Sequence, residues 1–210
     1  MSLQIGNDKI EEIYYGSDKI KEVYYGSELV YSSKKEYQVG DLYENYGVVY
    51  YIDSSYYYVV GFQQALYDEV WLEYEEDTPI PNKTVSPASI DFNGKDYTDI
   101  LMANYGSDAV AAYVAHIHSD KNNHPVGTYY LPALGELSQL LITSTMAIIN
   151  PKIIAAGGQP IEEWTDYWSS SEADIYHSYI AGNNGSSVYR YQEFKAYYYA
   201  YVRPITKFLK

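Results

Sequence analysis

Apolar and polar residues alternate in short runs at both ends of the chain and follow helical spacing only in the middle. The opening segment restarts at Gly6, Gly16 and Gly26, a period of 10, each turn leading into a run rich in Ile, Val and Tyr. This predicts a meander of small strands over residues 1–34, marginal alone because strands so short bury little apolar surface. The polar stretch SSKKEYQ at 32–38 then marks a boundary, and a second domain is expected over 35–210. Within it, VGDLYENYGVVYYIDSSYYYVVGFQQA is a pair of apolar runs around DSS and reads as a hairpin. Asn93-Gly94 reads as a turn signal. Ser107 can cap a helix whose Val110, Tyr113, Val114 and Ile117 form an apolar stripe. A second helical region covers residues 131–158, with Pro132 in its first turn, Pro151 breaking or starting a helix, and Gly157-Gly158 ending it. Two helices among short strands predict an α+β domain.

The chain closes on EFKAYYYAYVRPI, residues 193–205. Read as a strand, it puts Tyr197, Tyr199 and Tyr201 on one face and Tyr198 on the other. Some of these rings must then meet water unless a partner covers them.

Composition narrows the function. The 210 residues include 29 tyrosines, which bury a ring but need a partner for the hydroxyl. A formal net charge of −14, with no basic stripe, argues against nucleic acid and against acidic membranes. The absence of cysteine removes disulfides and thiol chemistry. The start, MSLQIGNDKIEEIYYG, lacks a basic and apolar signal pattern, and no run is long enough for membrane insertion, so cytoplasmic synthesis is expected.

No constellation argues for an enzyme. His116, His118 and His124 lie close in sequence, but on a helix the first two point about 200° apart and do not chelate one ion. DFNGKD begins like a calcium loop, yet its twelfth position is Met102 where a bidentate Glu is required. Ser169, Ser170 and Ser171 lack a nucleophile elbow and a paired base, and read as hydroxyls bonding backbone in a turn after a buried Trp168. Glu162-Glu163 and EYEED read as solvated charge. No metal and no cofactor are expected.

The order of motifs is more informative than any one of them. YQVGDLYENYGVVYYID, Trp71, DYTDILM, an Ala-rich helix, YYLPALGEL, a helix ending AAGG, YWSSSE and YVRPI follow one another over residues 37–208. The series resembles the C-type-lectin-fold variable proteins of diversity-generating retroelements, especially those of gut Bacteroides and their phages. The leading repeat resembles the Ile-Tyr-Gly-Ser repeats that open some phage tail and tail-fibre proteins. Together the resemblances imply a C-type-lectin-like head behind a β-repeat arm. The arm would attach to a tail protein or pair with other copies through residues 1–33, and the localisation would be the phage virion, or otherwise the bacterial cytoplasm or cell surface.

In that family, adenine-directed mutagenesis of Asn codons yields Tyr, Ser, Asp, His and several others, but not Lys, Glu or Gln. The resemblance therefore implies a ligand-binding surface of Asp174, Tyr176, His177, Tyr179, Asn183, Asn184, Ser186, Ser187, Tyr189, Tyr191, Tyr197, Tyr198 and Tyr199. Gln192, Glu193 and Lys195 would be framework or belong to another codon class, with Trp168, Val188, Val202 and Ile205 holding the scaffold. Tyr, Ser, Asn and Gly are also the residues of antibody paratopes, combining rigid amphipathic rings with adaptable polar groups. The implied function is metal-independent binding of a bacterial surface protein or glycan. A structural virion protein and a lectin-fold, glycan-processing enzyme are the other readings.

Overall fold

The ten-residue repeat becomes three antiparallel ribbons. They are β1 (Gln4–Ile5) with β2 (Asp8–Lys9), β3 (Ile13–Tyr15) with β4 (Asp18–Ile20), and β5 (Glu22–Tyr25) with β6 (Glu28–Ser32). Each repeat glycine follows in sequence the residue at which a pair closes, namely Ile5, Tyr15 or Tyr25. The pairing therefore straddles each restart, as expected where a Gly-polar dipeptide joins two extended runs. This computed structural model describes residues 4–5, 8–9, 13–15, 17–20, 22–25, 28–32, 35–65, 68–80, 91–118 and 123–210. The chain divides into two units, Met1–Glu36 and Tyr37–Lys210.

The described residues of the second unit form two antiparallel sheets. β7 (Leu42–Tyr43), β8 (Gly47–Ile52), β9 (Tyr56–Val60) and the final strand, β13 (Ile205–Leu209), pair in the order β13-β9-β8-β7. β10 (Tyr167–Glu172), β11 (His177–Asn183) and β12 (Val188–Phe194) form the other sheet, with β12 at its edge. The expected hairpin is β8 and β9. Asp53 builds its turn by accepting the N–H groups of Ser55 and Tyr56, both at 2.7 Å. Val48, Tyr50, Tyr58 and Val60 face inward onto the helices. Val49, Tyr57 and Val59 face the other way, beneath Tyr37, Tyr43, Tyr46 and Phe208. The rings of Tyr37 and Phe208 stack on Tyr43, with centroids 4.3 and 4.2 Å away. Tyrosines between residues 37 and 58 thus cover both sides of one sheet.

Among the described residues four helices lie between the strands: α1 (Gly94–Tyr105), α2 (Val110–His116), α3 (Leu134–Leu140) and α4 (Thr143–Ala155). The α+β class holds, with twice the expected helices. Asn93-Gly94 opens α1 instead of forming a separate turn, because Tyr97, Thr98 and Leu101 are buried at helical spacing. Gly94 is needed for close packing, since a Cβ there would lie 2.2 Å from Glu136 Oε2. Ser107 does not cap α2; it sits in a short 3-10 turn, and Ala109 is the cap. The buried face of α2 is Ala111, Ala112 and Ala115, not the larger residues of the expected stripe, because small side chains let it approach α1 and Trp71 closely. Pro132 precedes α3, and Pro151 lies inside α4 without ending it. Among the described residues no single helix is long and apolar enough to cross a membrane; α3 and α4 meet at a bend of 73°.

Besides the buried Val49, Tyr57 and Val59, two larger clusters form the interior of the described residues. Leu134, Leu137, Leu140, Ile149 and Ile153 of α3 and α4 pack on the inner face of the four-stranded sheet. Trp71, Leu101, the alanines of α2, Trp168, Ile180 and Val202 form the second cluster. The indoles cross-link it: Trp71 donates to the Ser169 carbonyl and Trp168 to the Glu69 carbonyl, both at 2.7 Å. Arg203 of YVRPI is fully buried and donates to the carbonyls of Gln159 and Gly61, both at 2.8 Å.

The start of α3 carries a buried titratable group. Glu136 accepts the Ala133 N–H at 2.8 Å and the Tyr130 hydroxyl at 3.1 Å. Burial pushes its carboxyl up from 4.5 to about 7, aided by Asp91 and opposed by these hydrogen bonds and the charge of Lys207. A carboxyl raised on folding stabilises the fold fully below its unfolded value, and that contribution is lost as pH rises through about 7. Glu136→Gln should flatten this part of the stability profile, removing ~3 kcal/mol of pH dependence at most. Urea unfolding between about pH 4 and about pH 8 checks it, and an unchanged slope would assign the pH dependence elsewhere.

Candidate functional site

The tyrosine-rich tail is not a regular strand. β12 ends at Phe194, residues 195–197 turn, and an irregular segment leads to β13. That segment is nevertheless fixed on both sides. Ala200 exchanges backbone hydrogen bonds with Glu69 at 2.9 and 3.1 Å, and the carbonyls of Val202 and Pro204 accept from Ala65 and Gly61. Toward β10, the Tyr201 carbonyl accepts from Trp168 at 2.9 Å, and the Tyr201 N–H donates to the Asp166 carbonyl. Alternation survives locally without a strand. Tyr197 is 73% exposed and Tyr199 62%, whereas Tyr198 between them is half-buried, edge-on to Trp168 at 6.0 Å. Tyr201 does not share the exposed face; it is half-buried beside Tyr167.

Lys195 is why the strand stops. It is fully buried, its ammonium paired with Glu172 Oε1 and donating to the carbonyls of Glu76 at 2.8 Å and Ile175 at 3.2 Å. It also lies 5.2 Å from the centroid of the Trp71 ring. Glu172 additionally accepts the hydroxyl of Thr78 at 2.8 Å and its N–H at 3.2 Å. The chain must turn inward to deliver this ammonium, so side chains on either side of it cannot keep one strand's faces.

A second focus gathers three of the expected residues around Asp166, which the sequence does not single out. Tyr189 donates its hydroxyl to Asp166 Oδ1 and Tyr191 to Oδ2, both at 2.8 Å, and Tyr198 also donates to Oδ2. Burial first, and then the hydrogen bond to Asp166, pushes all three phenols up, so they remain neutral donors. Tyr189 and Tyr191 stack with centroids 5.8 Å apart. One carboxylate thereby fixes the rings of two strand residues and one tail residue. The contacts span 23 to 32 positions of sequence, so no local pattern announces them. Gly182 makes room: a Cβ there would lie 2.2 Å from the Tyr189 hydroxyl and 2.6 Å from the Thr165 carbonyl. Gly182→Ala should push Tyr189 off Asp166 and destabilise the unit by roughly 1–3 kcal/mol, as overpacking does. Thermal melting checks this, and a wild-type melt would mean the ring has free space.

The remaining predicted positions spread along the β11–β12 hairpin. Asp174 and Tyr176 lie exposed in the turn before β11, with His177 half-buried beside them. Burial works against the Asp174 charge, but the N–H groups of Tyr176 and His177 and the His177 ring hold that carboxyl below its usual range. Tyr179 is half-buried on the opposite sheet face from Tyr189 and Tyr191, accepting from Gln192 at 3.2 Å. Asn184, Ser186 and Ser187 form the other turn, where Asn184 Oδ1 accepts both serine N–H groups. The two turns lie roughly 20 Å apart, the length of a seven-residue strand. Asn183 belongs to the scaffold: it is completely buried, and its amide donates to the Leu141 carbonyl at 2.6 Å and to Thr143 Oγ1 at 3.0 Å. A side chain so enclosed does not touch a ligand. Of the expected scaffold, Trp168, Val202 and Ile205 are buried and Val188 is half-exposed.

The other constellations also resolve. Ser169, Ser170 and Ser171 lie within buried β10, not in a turn. Ser169 Oγ donates to the Tyr179 carbonyl, and Ser171 Oγ donates to Asp91 at 2.6 Å while capping α3 through Leu134. Of the histidines, His118 and His124 both lie edge-on to Tyr129, at 5.1 and 5.9 Å, with His124 also stacked on Tyr46 at 4.1 Å, while His116 lies beside Gly127.

No protein-family model matches the chain, and no curated protein matches it. Its fold is similar to that of a fimbrial protein from Bacteroides ovatus ATCC 8483, with a TM-score of 0.52 and 14% sequence identity. The likeness covers 71% of this chain and 35% of that one, so this chain matches about a third of the fimbrial protein's length.

Proposed function

We propose that this chain is a ligand-binding protein whose C-terminal rings contact a bacterial surface protein or glycan. One observation carries the reading: Tyr197 and Tyr199 stand exposed on either side of Tyr198, which is anchored to Trp168 and Asp166. Exposed aromatic rings on a fixed backbone give contact area at little entropic cost, and their replacement leaves the core alone. In this reading Tyr37–Lys210 is a C-type-lectin-like head of the kind diversified by retroelements. Residues 1–33 join it to a phage tail or to further copies, and binding needs no metal and involves no turnover. The motif order over residues 37–208 and the leading repeat support these finer points.

A second reading draws on the likeness to the fimbrial protein: a non-diversified component of a bacterial surface structure. Both readings are tested by adding the labelled full chain to bacterial cells with and without the Tyr197→Ser/Tyr199→Ser replacement. Retention that ignores the rings sinks the ligand-binding proposal. Adenine-biased variation across residues 174–199 among sibling sequences separates the readings, being required by the first and absent from the second.

A further inference from the structure

Trp71 and Trp168 are buried, but the third tryptophan, Trp164, is 74% exposed. Its backbone is also an outlier: φ is +60°, the left-handed region that bulky residues rarely adopt. Neither feature serves the core. The conformation is imposed from the turn between β11 and β12, where the Asn183 carbonyl accepts the Trp164 N–H at 2.7 Å. Asn183 is itself tied to Leu141 and Thr143. Backbone outliers held in this way cluster at binding sites. The same turn brings polar groups to the indole. A Cβ on Gly185 would lie 3.1 Å from Glu163 Oε2, so the carboxylate preceding Trp164 rests against the turn. Ser186 and Ser187 are exposed in it, their hydroxyls donating to Asn184 Oδ1 at 3.0 and 3.3 Å and keeping their lone pairs open. Among the described residues, the indole N–H of Trp164 and the Glu163 carboxylate meet no hydrogen-bond partner.

Resting on the binding reading above, we propose that Trp164, Glu163 and the turn at 184–187 form a subsite for a neutral sugar ring of a bacterial surface glycan. A pyranose offers a face of C–H groups, which sits on the electron-rich face of an indole, and a rim of hydroxyls. The open carboxylate accepts from that rim, the indole N–H donates to it, and the serine hydroxyls do either. This is the mixed apolar and polar lining of a ligand site. Glu162 and Glu163 precede the indole, and no lysine or arginine occurs between Ile161 and Tyr189, so an anionic sugar is repelled. An apolar protein side chain would cover the ring but desolvate the carboxylate without pairing it.

Because Trp71 and Trp168 are buried, acrylamide quenching of the full chain's tryptophan fluorescence reports on Trp164. The ligand sample is the neutral oligosaccharide fraction released from bacterial cells by mild acid and cleared of charged material by anion exchange. It should lower the quenching constant about twofold, since a stacked ring covers one of two indole faces. The same fraction oxidised with periodate, which opens rings at vicinal diols, should not. Trp164→Gly removes the indole and suits the left-handed backbone, so it should melt no lower than wild type. Adhesion of that labelled chain to bacterial cells should fall at least about tenfold. Glu163→Gln should weaken adhesion about threefold. Adhesion of the wild-type chain should be lost on periodate-treated cells and kept on protease-treated ones. The opposite pattern, an unchanged quenching constant, or a Trp164→Gly chain that unfolds overturns the proposal. Adhesion that survives Trp164→Gly but is lost with Tyr197→Ser/Tyr199→Ser overturns the sugar subsite alone. Adhesion that ignores both replacements removes the binding reading itself.

Discussion

Lys195→Met is expected to lower the stability of the Tyr37–Lys210 unit by about 3–5 kcal/mol, because it strands a buried carboxylate. Glu172 and Lys195 are both fully buried, so neither charge is screened by water. Methionine preserves much of the lysine stem's volume, so the loss reports charge and hydrogen bonding more than packing. The carbonyls of Glu76 and Ile175 lose their donor as well, which loosens the acidic loop and the turn before β11 together. With roughly 2–4 °C per kcal/mol for a unit of this size, the melting temperature should fall by about 10 °C or more. Glu172→Gln/Lys195→Met removes both charges and should recover part of the loss, since a neutral amide can still accept from Thr78. Thermal and urea unfolding of the single and double variants check this. A loss below about 1 kcal/mol for the single variant would mean that water reaches the pair.

Sequence patterns were readable where structure is local. The DSS turn between β8 and β9 is legible because Asp53 bonds its own neighbours. The α+β class follows from helical spacing in the middle of the chain. Errors arose where a distant group decides the outcome. Gly94 looks like half of a turn, but Glu136, far along the chain, explains why it is glycine. The larger apolar residues of α2 are not its buried face, because close helix packing selects Ala111, Ala112 and Ala115. Lys195 gave a usable hint as a framework candidate, but nothing local says that it turns inward to Glu172. The grouping of Tyr189, Tyr191 and Tyr198 was invisible for the same reason: each is exposed or half-buried by composition alone, and only the fold brings them to Asp166. Asn183 and Asn184 show the limit most sharply, since adjacent identical residues divide between core and turn.

Tyr197→Ser/Tyr199→Ser is expected to separate binding from stability. Exposed substitutions usually stay within about 0.5 kcal/mol each, and these rings are 73% and 62% exposed, so melting should hardly move. Adhesion should collapse, because aromatic anchors at an interface centre are each worth roughly 2 kcal/mol or more, a combined loss on the order of a thousandfold. Tyr198→Ser should behave in the opposite sense. It loses the edge contact with Trp168 and a hydroxyl that Asp166 accepts, so it should destabilise the unit by roughly 2–4 kcal/mol. Tyr198→Phe keeps the ring and removes only that hydrogen bond, and should cost about 1–2 kcal/mol. Adhesion and melting of all three variants, measured on the full chain, give a pattern that a uniformly buried or uniformly exposed tail cannot produce. If Tyr197→Ser/Tyr199→Ser unfolds the protein, the two rings are core; if all three variants melt like wild type, Tyr198 is not the anchor that holds its neighbours outward.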